Sequence, residues 1–274
     1  MRADFLSTMA EASRARVQAA RLRMSEAELR TVAADVAAPP LLVLDRFDVI
    51  AELKRRSPAQ GGLTSENFDA TAQLTAYAEG GACAVSVLTE PEQFLGSLED
   101  LRDASRFLAE RGIPVMRKDF LTDPYQILEA RAAGAGGVLV IVTMLTDTEI
   151  DELLAAASEN GLFVLLEGFN TKDLERIARF PLADSKQPVL AGVNCRDLKT
   201  LAVDFSRFMS LAGSLPARLP AVAESGIADE GDIRDVAAAG YSLALVGSSL
   251  MTSDDPASRL AAFITAGREQ RAAA

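Results

Sequence analysis

Neither histidine nor tryptophan occurs in this chain. Without histidine, Ser–His hydrolysis, His-ligated zinc and imidazole acid–base chemistry are excluded. Any proton transfer must use Lys, Glu, Asp, Tyr or Cys. Cysteine is scarce too: Cys83 and Cys195 are too few for a disulfide framework or a metal cluster, and both read as small buried hydrophobes. Aromatics are only 5% of residues, so Ala, Val and Leu must build the core. No apolar run approaches the ~20 residues of a membrane-spanning helix. The first residues, M-R-A-D-F-L-S-T-M-A-E, lack the continuous apolar stretch of a secretory signal, and a cytoplasmic location is expected. Positive charge is outnumbered, with a formal net charge of −11. That balance argues against a nucleic-acid-binding surface, although a local group of Lys and Arg can still hold an anionic ligand.

What is present suits one large α/β unit. A length of 274 residues with 49% hydrophobic content fits a single barrel of ~250 residues. Up to about Pro40 the pattern is helical. Leu6, Met9, Ala10 and Val17 recur at helical spacing, with Ser13 on the same face. A second helix is expected around Ser25–Ala37, opened by Ser25 with Glu28 three places on and closed by Pro39-Pro40. This extension, residues 1–47, reads as packing on the main body. The rest, residues 48–274, reads as a barrel within the same domain. Its expected strands are Val49–Lys54, Cys83–Leu88, Ile113–Lys118, Gly137–Ile141, Phe163–Glu167, Val189–Asn194, Ala221–Glu224 and Ser242–Gly247. Their ends fall roughly 23–34 residues apart, as βα units require. Near-continuous apolar strands imply a parallel sheet covered on both faces. Eight units in one run favour a closed (β/α)8 TIM barrel over an open sheet, and Ser57-Pro58-Ala59-Gln60-Gly61-Gly62 is no dinucleotide fingerprint. The stretch Phe180–Pro188 reads as a surface loop on the side away from the chemistry.

Barrel enzymes work at the C-terminal ends of their strands. Those ends here carry Glu52, Lys54, Lys118, Glu167, Asn194, Glu224 and the pair Gly247-Ser248. Glu52 and Lys54 stand two apart and therefore face the same way. Lysines among carboxylates in a partly desolvated mouth can have their proton affinities tuned. A lysine of depressed pKa is expected as the acid and a glutamate as the base. Glu224-Ser225-Gly226 and Gly247-Ser248-Ser249 expose backbone N–H groups where barrels commonly bind phosphate, and Ser57 can add a hydroxyl. Bulky residues at Gly226 or Gly247 are expected to weaken binding more than turnover. Each feature also has a plainer reading. Arg117-Lys118-Asp119 resembles a solvated charge triplet. Glu167 and Glu224 could be structural partners of the lysines. Asn194-Cys195-Arg196-Asp197 could be a simple turn, and Gly247-Ser248-Ser249 a plain helix start. Their joint occurrence on eight regularly spaced ends favours the functional reading.

The segments I-A-E-L-K-R-R-S-P, S-V-L-T-E, G-S-L-E-D-L, V-M-R-K-D-F-L-T-D-P-Y-Q-I, N-C-R-D-L-K-T, V-A-E-S-G-I and L-V-G-S-S-L-M together resemble the indole-3-glycerol phosphate synthase family of tryptophan biosynthesis. The likeness runs from about Phe47 to Met251, and a helical extension also suits that family. The resemblance implies a lyase without cofactor or metal that converts 1-(2-carboxyphenylamino)-1-deoxyribulose 5-phosphate to indole-3-glycerol phosphate, carbon dioxide and water. It implies Lys118 as general acid, Glu167 as its partner in dehydration, and Lys54 near the substrate carboxylate and reacting carbonyl. Glu52 and Glu224 would order lysines and substrate, while Asn194 and Arg196 would fix the anthranilate portion. Ser57, Ser225, Gly226, Gly247 and Ser248 would cradle substrate and phosphate, and Phe94 and Phe120 would wall the aromatic ring.

Departures from the family pattern include a longer loop at Phe180–Pro188, a modestly different strand-one loop Ser57-Pro58-Ala59-Gln60-Gly61-Gly62, and two changes beside the expected site. Glu167-Gly168-Phe169-Asn170 replaces an acidic run of the E-V-H-D kind, and Cys195 stands where Asn or Ser is usual. The expected partner is a small phosphorylated substrate, with neither nucleic acid nor membrane. A monomer or weak homo-oligomer is expected, and association with other enzymes of the pathway is left open. Two rival readings keep the fold and change the chemistry. One is a phosphate-binding isomerase or aldolase, which as an aldolase would trap a Schiff base on Lys118 or Lys54. The other is a catalytically silent ligand-binding subunit.

Overall fold

The computed structural model describes residues 5–57, 61–62, 68–180, 187–196 and 202–273. Eight parallel strands, β1 (Asp48–Leu53), β2 (Ala84–Leu88), β3 (Val115–Lys118), β4 (Gly137–Ile141), β5 (Phe163–Gly168), β6 (Val189–Asn194), β7 (Ala221–Glu224) and β8 (Leu243–Val246), pair in sequence order. Pairing of Asp48–Ala51 with Leu243–Val246 closes the ring, giving a TIM barrel. All eight expected strands are present, with ends shifted by no more than two residues. An additional two-residue ladder, Arg56–Ser57 against Gly61–Gly62, was not expected from the sequence.

Period-two alternation divides each strand between two cores. Ile50, Ala84, Met116, Leu139, Phe163, Leu165, Leu190, Val222, Leu243 and Leu245 cluster inside the barrel. Val49, Val85, Val87, Val115, Val138, Val140, Val164, Ala191, Ala223 and Val246 face the surrounding helices. Inside, Gly137 makes room for its neighbour: a Cβ there would stand 2.4 Å from the Phe163 ring. The helices that follow the strands begin on side-chain caps, among them Asp69, Ser97, Asp123, Thr146, Asn170 and Asp229. Gly134 and Gly240, each just past a helix end, adopt φ of 85° and 102° and turn the chain back toward the sheet.

Two helices precede β1. Helix α1 (Phe5–Arg21) buries Leu6, Met9, Ala10, Ser13 and Val17, the face expected from its spacing. Helix α2 (Glu26–Asp35) opens on the Ser25–Glu28 capping box. The last helix, Pro256–Ala273, packs Gly267 against buried Phe47 beneath β1. The loop at 180–188 is described only at its ends, residues 181–186 lying outside the described residues. At its far end the Gln187 side chain accepts a hydrogen bond from the Leu42 N–H.

A Cβ on Gly267 would stand 2.1 Å from the Phe47 ring. Gly267→Ala should therefore lose about 1–3 kcal/mol of stability in urea melts, although alanine is the better helix former.

Candidate active site

The four odd-numbered strands each bring one charged side chain into the top of the barrel: Glu52 from β1, Lys118 from β3, Glu167 from β5 and Glu224 from β7. The three glutamates are 5%, 2% and 1% exposed. Lys118 Nζ lies 3.5 Å from Glu167 Oε2 and 3.9 Å from Glu224 Oε2. Lys54 Nζ pairs with Glu52 Oε1 at 2.9 Å, as expected of two residues on one face of a strand end. Tyr77, fully buried, donates to the Glu52 carbonyl at 3.0 Å and fixes the end of β1. Strand β6 contributes Asn194, whose Oδ1 accepts the Arg196 N–H at 3.0 Å. On the same strand Gly192 leaves space for Glu224, since a Cβ would meet its Oε1 at 2.0 Å.

Around this charged floor are turns and apolar walls. Ser225 and Gly226 follow β7 with φ of 71° and 80°. Positive φ at a non-glycine residue is sparsely populated and often marks a site. Gly247 and Ser248 lead from β8 into the short helix Ser248–Met251. Phe94 and Phe120 face each other at 6.2 Å between ring centroids, and Phe5 meets Phe120 edge-on at 5.9 Å. Glu52, Lys54, Lys118, Glu167, Asn194, Arg196, Glu224, Ser225, Gly226, Gly247, Ser248, Phe94 and Phe120 all line one cavity. The Ser57 side chain lies outside the described residues. Among the described residues no cluster of three His, Cys, Asp or Glu is placed to hold a metal ion, and no helix is long and apolar enough to cross a membrane.

A family model described as indole-3-glycerol phosphate synthase matches residues 6–263. The chain belongs to the indole-3-glycerol phosphate synthase family. These enzymes are carboxy-lyases of tryptophan biosynthesis. The chain is 41% identical over 270 residues to the synthase of Mycolicibacterium smegmatis, covering 97% of this chain and 95% of that relative. It is 44% identical over 228 residues to the synthase of Arthrobacter sp. (strain FB24), covering 83% and 80%. Among solved structures, 3-hexulose-6-phosphate synthase from Salmonella typhimurium superposes with a TM-score of 0.61 at 15% identity, over 82% of this chain and 100% of that one. Thiamine phosphate pyrophosphorylase from Pyrococcus furiosus gives 0.58 at 15%, over 82% and 97%. At that identity the likeness concerns the barrel alone.

The electrostatics correct one expectation for this synthase-family site. A depressed lysine pKa was expected, but that of Lys118 is raised. Burial disfavours its ammonium, yet Glu167, Glu224 and Glu52 together outweigh that cost and keep it charged. Burial likewise opposes ionisation of Glu52, but Lys54, Lys118 and Arg196 prevail and hold its carboxyl below the usual range. Glu224 goes the other way. Burial and the neighbouring Glu167 push its carboxyl well above the usual range, against the pull of Lys118.

Other plain readings also give way. Arg117 and Asp119, on either side of Lys118, are each 3% exposed rather than solvated. Asp119 accepts hydrogen bonds from Arg16 Nη2 at 2.8 Å, Thr89 Oγ1 at 2.9 Å, Arg117 Nη2 at 3.1 Å and the Phe120 N–H at 2.8 Å. Nearby, buried Glu90 accepts the N–H groups of Glu92, Gln93 and Phe94, and Arg16 lies 3.8 Å from its carboxylate. Nor is α1 only packing, because Phe5 and Leu6 line the cavity. Their apolar pair at the start of an amphipathic helix gave no hint of which surface it would cover. Phe169, in the departing segment after β5, also lines the cavity and is 4% exposed. Cys195 faces away from the cavity into the outer core, fully buried, as expected, and burial pushes its thiol up to about 11. Cys83 is partly exposed and packs below the barrel floor. Gly247 is not a clean probe of binding, since a Cβ there would stand 2.5 Å from Glu52 Oε1 and 3.0 Å from Lys54 Nζ.

Lys118→Met would leave Glu167 and Glu224 buried side by side without their cation, at a cost of about 3–5 kcal/mol. The folded variant then binds more protons than the unfolded chain at neutral pH, so its stability rises as pH falls. Urea melts at pH 8 and pH 5 should show the deficit shrinking at the lower pH.

Proposed function

We propose that this cavity closes the indole ring of 1-(2-carboxyphenylamino)-1-deoxyribulose 5-phosphate with Lys118 as the proton donor to the ketone oxygen. The observation that carries the assignment is the position of Lys118: its ammonium stands between Glu167 and Glu224, in the cavity that also holds the Glu52–Lys54 pair. Phe94 and Phe120 hold the anthranilate ring over the reacting carbonyl. Lys54 and Arg196 receive the ring carboxylate, with Asn194 bracing Arg196 through its main-chain N–H. The aromatic carbon attacks the ketone while Lys118 protonates the developing alkoxide. Loss of carbon dioxide restores aromaticity. Glu167 then removes a proton from the adjacent carbon as the hydroxyl leaves as water. Ser225, Gly226, Gly247, Ser248 and Ser57 hold the phosphate at the far rim, where barrels of this kind bind it. The glutamates are buried at the bottom of the cavity, so the charged groups act in a low-dielectric setting where positioning is effective.

Lys118→Arg separates chemistry from folding. Arginine keeps the positive charge between the glutamates but holds its proton too tightly to give it up. Turnover, followed by indole fluorescence on adding the carboxyphenylamino deoxyribulose phosphate, should fall by ~10²–10⁴-fold with the thermal melt little changed. Near-normal turnover would remove Lys118 from the role. Ser248→Asp places a carboxylate against the phosphate and should raise KM by roughly tenfold or more while kcat changes little. A defect in kcat alone would place the phosphate elsewhere.

A further inference from the structure

The overall reaction requires a proton that the steps above do not return. The substrate carboxylate leaves as neutral carbon dioxide and the hydroxyl as water. Two protons are therefore given to oxygen, one is taken from carbon, and each turnover consumes one. Lys118 alone can supply only the first.

Glu224 stands where the second can be stored. It is 1% exposed at the end of β7. Among the described residues, no donor lies within hydrogen-bonding distance of either of its carboxylate oxygens. Its charged surroundings are Lys118 from β3 at 3.9 Å, Glu167 from β5 and Glu52 from β1, while β6 presents uncharged Gly192 and Asn194. Lys54 is committed to Glu52 at 2.9 Å. Three glutamates thus share two lysines in a buried layer, and Arg196 after β6 acts on Glu52. An ionised Glu224 would be a nearly dry anion beside another anion, whereas a neutral Glu224 can donate a hydrogen bond to Glu167. The missing side chain at Gly192 gives its carboxyl room.

We propose that in the resting site Glu224 is a neutral carboxylic acid hydrogen-bonded to Glu167, and that its proton is the one each turnover consumes. This rests on the reaction proposed above. After ring closure the Glu224 O–H bond breaks and its proton passes to the neutral Lys118 amine, leaving a carboxylate and an ammonium. Lys118 can then act as acid a second time when the hydroxyl leaves. Glu167, protonated by the carbon acid, returns that proton to Lys118, and solvent reprotonates Glu224 as product departs. No electrons change hands in the relay, and one proton enters per cycle.

Infrared spectra of the substrate-free protein with 13C-labelled glutamate test the resting state without any turnover. At pH 7 the carbonyl stretch of a neutral carboxylic acid should be present in the wild type and absent in Glu224→Gln, which has the same shape. In Glu167→Gln the like charge is gone, so the band should vanish at lower pH than in the wild type. Absence of a band that Glu224→Gln removes overturns the proposal, and does so even if the enzyme proves fully active. In a single turnover, Glu224→Gln should release carbon dioxide at near the wild-type rate and form indole ~10²-fold more slowly. Equal slowing of both would also overturn it. If the wild type releases no carbon dioxide from this substrate, the reaction itself is misassigned, whatever the infrared result.

Discussion

One buried ammonium facing carboxylates from three other strands governs the upper half of this barrel. Lys118 would not stay charged at so little exposure without the carboxyl groups of Glu167, Glu224 and Glu52 around it, and the burial of Glu167 and Glu52 depends in turn on Lys118 and Lys54. The barrel meets this mutual requirement through its register. Parallel pairing in sequence order places one inward residue from each odd strand near a common level. Below that level the inward positions are mostly apolar, among them Ile50, Ala84, Met116, Leu139, Phe163 and Leu243, with buried Ser86 as a polar exception. The charged layer therefore rests on a dry floor and opens only upward.

The apolar side of the cavity depends on a second buried electrostatic cluster. Asp119 binds Arg16 of α1, Arg117 of β3 and the backbone of Phe120. Glu90 gathers the backbone turn that carries Phe94. Arg117 extends the cluster to Glu129 at 3.0 Å. Phe5, Phe94 and Phe120 thus come from three separate segments that share one set of ionic anchors. Because Asp119 is next in sequence to Lys118, the anchors of the walls and the charged floor are joined through the end of β3.

Much of the architecture was legible in the sequence because parallel barrel strands are continuous apolar runs bounded by helix caps and glycines. The α1 face was equally plain, since Leu6, Met9, Ala10, Ser13 and Val17 follow a helical period and all are buried. The charged strand ends were visible because alternation assigns Glu52 and Lys54 to one side. Other features were hidden for specific reasons. Arg117 and Asp119 looked like a solvated triplet because composition does not reveal which partners a fold will bring to them, and Arg16 lies 103 residues from Asp119. The direction of the Lys118 shift depends on three carboxylates converging from distant strands, which no local window contains. The role of Phe5 is not legible in the sequence because a helix shows there which face it buries but not against what.

The central claim is that convergence of the strand ends keeps Lys118 protonated and ready to act as an acid. The chain holds five lysines, Lys54, Lys118, Lys172, Lys186 and Lys199, so spectra of protein labelled with 13C at the lysine Cε position are simple enough to assign through Lys118→Arg. Following the Lys118 Cε shift with pH reads the claim directly. The account predicts that Lys118 keeps its proton beyond the ordinary lysine range. Loss of the proton at or below neutral pH would contradict it.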